Sequence, residues 1–192
     1  MALLTEPRIH QWTRDEYYKM AEAGLFDGKH VELIEGQVIE MSPMGSRHRT
    51  ATTLTGDVLR QAFRSGYFVS MQCPLDCGEL SEPEPDVAVS AGNVRDYTDA
   101  HPTTAALVVE VADTSLAYDR TTKASLYAKA GMADYWIVNL IERRLEIYRH
   151  PTVDAAQPYG FGYAEVTVRT AAESVAPLAM PQAHIAVAEV LP

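Results

Sequence analysis

Apolar positions along the chain follow two rhythms, and the switches between them mark out the elements. Thr13-Arg14-Asp15-Glu16-Tyr17-Tyr18-Lys19-Met20 predicts a short helix. Thr13 is its N-cap, Glu16 completes a capping box, and Gly24 and Gly28 end it. Val31 to Met41 holds two β-rich runs about Glu35-Gly36, the pattern of a hairpin. Alternation puts Val31, Leu33 and Glu35 on one face and Glu32 and Ile34 on the other. From Ser46 to Arg64, Ala51, Leu54, Val58, Leu59, Ala62 and Phe63 recur at helical spacing, and Gly66 closes the segment.

Extended stretches follow over Tyr67 to Cys77 and Pro85 to Ser90, then a polar loop from Ala91 to Thr104. The run Ala106 to Ala112 reads as a buried strand that leads into a helix from about Asp119 to Ala130, stopped by Gly131. Asp134 to Asn139 and Arg144 to Arg149 form a strand pair about Ile141-Glu142-Arg143. Short strands from Gly162 to Thr170 and an Ala/Pro-rich tail complete the chain. This order predicts a mixed α/β, or α+β, domain with a central sheet flanked by helices and an N-terminal hairpin.

Length changes that picture only by limiting it: 192 residues, 47% of them apolar, fit a single domain over 1–192 with its own core. No apolar run reaches membrane-spanning length, and Met-Ala-Leu-Leu-Thr-Glu-Pro lacks the basic start and apolar core of a secretion signal, so a cytoplasmic protein is expected. Cys73 and Cys77 have no neighbouring ligands at metal spacing and read as small apolar residues of a strand. A net charge of −10 excludes coating of nucleic acid through bulk electrostatics. It leaves room for a nuclease whose acids hold a cation and whose Arg47, Arg49, Arg60 and Arg64 track a phosphate backbone.

The chemistry lies where acids interrupt apolar runs. Asp86 follows Pro85, which fixes the backbone ahead of it, and Glu110 stands within Leu107-Val108-Val109-Glu110-Val111. A buried ionised carboxylate needs a cation, a metal or a hydrogen-bond network. If the two strands are neighbours, both acids can share a hard cation such as Mg²⁺ or Mn²⁺. Asp119 and Lys123 follow at helical i,i+4 spacing, the favoured order for an ion pair, and a helix packed back on the sheet would bring Lys123 to the acids. As a partly exposed lysine, it is expected to matter for turnover and little for folding. His48, near the start of the long helix, is placed to meet a metal, a substrate or a carboxylate. Tyr127 and Trp136 read as core packing.

The chain resembles the Uma-two endonuclease family of the PD-(D/E)XK, or restriction-endonuclease-like, superfamily. The resemblance runs from Val31-Glu32-Leu33-Ile34-Glu35-Gly36-Gln37-Val38 and Met41-Ser42-Pro43, through Arg47-His48 and Glu84-Pro85-Asp86-Val87, to Asn139. Its most specific stretch is Val108-Val109-Glu110-Val111-Ala112-Asp113-Thr114-Ser115, then Tyr118-Asp119-Arg120, Lys123, Leu126-Tyr127-Ala128, Gly131 and Asp134 to Val138. It implies that Asp86 is the aspartate of the Pro-Asp motif, Glu110 the second acid, and Glu35 an acid completing the metal site. The superfamily lysine is expected two residues after Glu110, where this chain has Ala112; Lys123 is its substitute on the following helix.

The resulting expectation is an Mg²⁺- or Mn²⁺-dependent nuclease acting on DNA rather than RNA. Asp86, Glu110 and Lys123 form its centre, with Glu35, His48 and Asp119 as further candidates. The alternative is an inactive binding or assembly module on the same fold. A metal-free hydrolase using Ser115 and His48 lacks a nucleophile-elbow pattern around the serine. Cutting both strands of a duplex predicts a homodimer, with Trp136, Ile147 and Tyr148 as its apolar interface.

Overall fold

Thr13 caps the first helix as its sequence predicts: its hydroxyl accepts from the Glu16 amide at 3.3 Å, and Glu16 accepts from the Thr13 amide at 2.9 Å. The computed structural model describes residues 7–192. Helix α1 (Arg14–Glu22) is followed by a hairpin of β1 (Val31–Ile34) and β2 (Gln37–Glu40). Its two-residue turn needs positive φ at both positions, and Glu35 and Gly36 adopt 47° and 74°. Helix α2 (Ser46–Ala62) leads to β3 (Tyr67–Ser70), β4 (Val87–Ala91) and β5 (Leu107–Ala112). A helical crossover of α3 (Leu116–Tyr118), a π-helical turn (Asp119–Lys123) and α4 (Ala124–Lys129) then returns the chain to β6 (Asp134–Asn139). Next come β7 (Arg144–Val153) and β8 (Phe161–Thr170), then the short pair β9 (Ser174–Val175) and β10 (Ile185–Ala186).

Strands β3 to β8 form one six-stranded sheet in chain order. Only β5 and β6 are parallel, which is why a helical crossover must join them. Residue parity divides the core. Val109, Val111, Trp136, Val138 and Ile147 face α2 and the C-terminal segment. Val108, Ala112, Tyr135, Ile137 and Tyr148 face the crossover through Leu116, Ala124 and Tyr127. No helix among the described residues is long and apolar enough to cross a membrane.

Several expectations are corrected. Trp136, Ile147 and Tyr148 are 1%, 2% and 8% exposed, so they form no interface. They lie on internal strands flanked on both sides, whereas local sequence shows β6 and β7 only as an isolated pair. The extended run after Tyr67 ends at Ser70, and Cys73 and Cys77 are free thiols in the loop beyond it. The crossover helix begins at Leu116, three residues early. The stretch expected as short strands is the single strand β8, ten residues long. All four residues of β1 are buried, so the hairpin has no solvent face there.

Glu146 on β7 ties the crossover to the sheet. It accepts from Arg120 Nε at 2.9 Å, Asn139 Nδ2 at 2.7 Å and the Tyr148 hydroxyl at 3.1 Å. Burial pushes its carboxyl up, but these donors and the Arg120 charge outweigh burial and bring it from 4.5 down to about 2. A carboxyl depressed on folding stabilises above its unfolded value and loses that contribution as pH falls through its folded one. Glu146→Gln cannot titrate. The stability gap between wild type and variant is therefore expected to be full at pH 6 and to narrow from about pH 4.5 toward 2. Urea midpoints across that range check it; a gap independent of pH would contradict the assignment.

Candidate active site

Antiparallel pairing of Val87 with Val109 sets Asp86 opposite Glu110 at the end of β4. Each acid is locked to the other strand's backbone. The Val111 amide donates to Asp86 Oδ2 at 2.8 Å, and the Asp86 amide donates to Glu110 Oε2 at 3.2 Å. The sequence expectation that these two strands are neighbours is met, and both residues are nearly sealed, at 7% and 5% exposure.

The remaining lone pairs recruit helical residues. His48 Nε2, on the first turn of α2, lies 2.7 Å from Asp86 Oδ1. Burial works against the imidazolium, but the Asp86 hydrogen bond and charge outweigh it and raise the pKa of His48. From the crossover, Tyr127 donates its hydroxyl to Glu110 Oε1 at 2.7 Å, and Lys123 Nζ approaches the same oxygen at 3.2 Å. Lys123 also donates to Glu32 Oε2 on β1 at 2.6 Å.

Lys123 is 1% exposed, so its expected partial exposure is a further correction. Burial presses the ammonium toward neutrality, but Glu110 and Glu32 outweigh it and hold the lysine charged. Lys123 turns to the acids rather than to its i,i+4 neighbour Asp119, as expected of a helix packed back on the sheet; Asp119 accepts from the Ser115 hydroxyl at 2.6 Å. The π-helical turn spans these residues and aims Lys123 at the sheet. Asp119 still faces the cluster. Burial first, then the charges of Asp86 and Glu32, raise its carboxyl to about 6 against the pull of Ser115 and Lys123. Glu110 rises to about 8, through burial and the nearby Asp86, Asp119 and Glu32, with Lys123 opposing.

Glu32, 2% exposed, is a member of the cluster that sequence reasoning misses, although it interrupts the apolar run Val31–Ile34 just as Glu110 interrupts its own. Tyr127 reads in the sequence only as packing; nothing in its spacing signals the bond to Glu110. Glu35 is not brought to the cluster. It accepts from Ser81 at 3.2 Å and pairs with Lys129 at 2.6 Å, fastening the hairpin to α4.

Among the described residues, no three of His, Cys, Asp and Glu converge as a ready-made metal cage. The donors nevertheless suit a hard divalent ion, which is commonly held by one or two carboxylates and completed by water and phosphate oxygens. Glu32 and Glu110 contact the buried ammonium of Lys123, and the carboxyls of Asp86 and Asp119 are buried close by. The Tyr118 hydroxyl, on the same turn, is buried without a partner.

The profile of the Uma2 family, described as "Putative restriction endonuclease", matches residues 14–188. No curated protein sequence matches the chain. A crystal structure of a putative nuclease of the DUF820 group from Anabaena variabilis superposes with a TM-score of 0.72 at 15% identity, covering 93% of this chain and 96% of that one. At that identity the likeness establishes the fold, a mixed sheet flanked by helices, and the profile match over nearly the whole chain establishes the lineage: this protein belongs to the Uma2 family.

Proposed function

We propose that the protein hydrolyses phosphodiester bonds of nucleic acid, DNA rather than RNA, using Mg²⁺ or Mn²⁺ held by Asp86 and Glu110. The observation that carries this reading is the interlocked pair of acids on adjacent strands, backed by a fully buried lysine. The description of the family supports DNA as substrate. When bound, the ion would polarise a phosphate oxygen and lower the pKa of a coordinated water.

The protein's own groups prepare that site. Lys123 favours the ionised form of Glu110, and Tyr127 fixes the rotamer of that carboxylate through its hydroxyl. Glu32 anchors Lys123 from the hairpin and so acts as a positioning residue. His48 orients Asp86, and Arg47 and Arg49, exposed on the same helix turn, can meet phosphates. In this reading Glu35 holds the hairpin and is not a ligand, while Asp119 adds negative charge behind the acids.

The second reading, a module that binds without cleaving, is favoured by one observation: Glu32 seals Lys123 from solvent. Calorimetric titration with Mn²⁺ separates the two. The nuclease reading expects one ion per chain, lost in both Asp86→Asn and Glu110→Gln and kept in Glu35→Gln. Absence of binding to wild type would favour the second.

A further inference from the structure

Strand β8 ends the sheet with its outer edge unpaired by any other strand among the described residues. The opposite edge, β3, is only four residues long, the usual protection against unwanted pairing. By contrast, β8 runs ten residues, Phe161-Gly162-Tyr163-Ala164-Glu165-Val166-Thr167-Val168-Arg169-Thr170, without a proline or lysine. Val166 and Val168 project from one face at 51% and 40% exposure. A long edge without proline or lysine is a template for a strand whose charges match its own.

The charges along β8 identify which strand. An antiparallel two-fold axis through Thr167 sets Glu165 opposite Arg169 of the partner subunit, and the same pair arises again on the other side of the axis. Val166 then meets Val168 of the partner subunit, also twice. Opposite charges and β-branched residues directly across from each other favour pairing, and a self-complementary patch closes as a dimer. The present partners are surface contacts that re-form cheaply: Glu165 lies 3.3 Å from His150, and Arg169 lies 3.9 Å from Glu173 and donates to the Val168 carbonyl at 3.1 Å, a bond it must release on pairing. Glu173 also accepts from the Thr170 amide at 2.8 Å, which ends the available edge just past Arg169.

We propose that two copies of this chain pair through β8, from Glu165 to Arg169, in an antiparallel register centred on Thr167, to give one continuous sheet across the dimer. The assembly does not depend on the nuclease reading, although it would supply two sites for the two strands of a duplex.

Sedimentation of the full chain at micromolar to tens of micromolar concentration should show a dimer. Glu165→Arg should weaken association about tenfold or more, because two like-charge pairs replace two opposite ones. Adding Arg169→Glu to the same chain should restore it. With Cys73 and Cys77 changed to serine, Thr167→Cys should form an interchain disulfide under mild oxidation, since the same residue faces itself across the axis. Circular dichroism confirms that each variant is folded. A monomeric wild type, a dimer indifferent to Glu165→Arg, a double variant that stays monomeric, or a Thr167→Cys variant that forms no interchain cross-link would each overturn the proposal.

Discussion

Replacing Lys123 with methionine is expected to destabilise the fold by about 3–5 kcal/mol, the usual cost of removing one partner from a buried charged pair. The methionine fills the space but leaves Glu32 and Glu110, 2% and 5% exposed, without their shared cation. Glu110 can absorb part of the loss by taking up a proton, because burial already raises its carboxyl. Glu32 is left buried with its Lys123 partner gone, so adding Glu32→Gln to Lys123→Met should recover part of the stability. Urea unfolding of wild type, the single and the double variant measures both effects. A single variant within about 0.5 kcal/mol of wild type, the range of an ordinary surface change, would mean that the lysine is not buried as described.

The second large effect is on turnover. Asp86→Asn should reduce metal-dependent cleavage to the assay background while leaving stability within about 1 kcal/mol of wild type. The amide oxygen can still accept from the Val111 amide, and the amide nitrogen can donate to a neutral His48 ring, so the two short hydrogen bonds survive and only the 3.5 Å contact from Gln72 is lost. What is lost is the anionic oxygen. A thermal melt alongside the cleavage assay separates loss of chemistry from loss of fold, which Lys123 variants cannot do.

Features set by local chemistry are legible in the sequence. The capping box at Thr13, the Glu35-Gly36 turn, the helix over 46–62 and the acids inside apolar runs each announce themselves within a few residues. Pairing between distant segments is not. Trp136 and Ile147 look like the apolar face of a hairpin until β5 and β8 are known to flank it. Glu32 looks like the polar side of a strand until the crossover supplies Lys123, 91 residues away. The π-helical turn leaves no mark in the side-chain pattern, because it is a shift of backbone hydrogen-bond register over only five residues. The same criterion that selects Glu110 would select Glu32 if applied to every strand.

Incubating supercoiled plasmid DNA with the purified protein and Mn²⁺ reads the proposed cleavage itself, with single-stranded RNA, a chelator and Asp86→Asn prepared in parallel. The proposed chemistry should give nicked and linear plasmid with wild type, slower attack on RNA, and neither with the chelator nor with the variant. Plasmid left intact by wild type with both Mn²⁺ and Mg²⁺, or cut equally by Asp86→Asn, would contradict it.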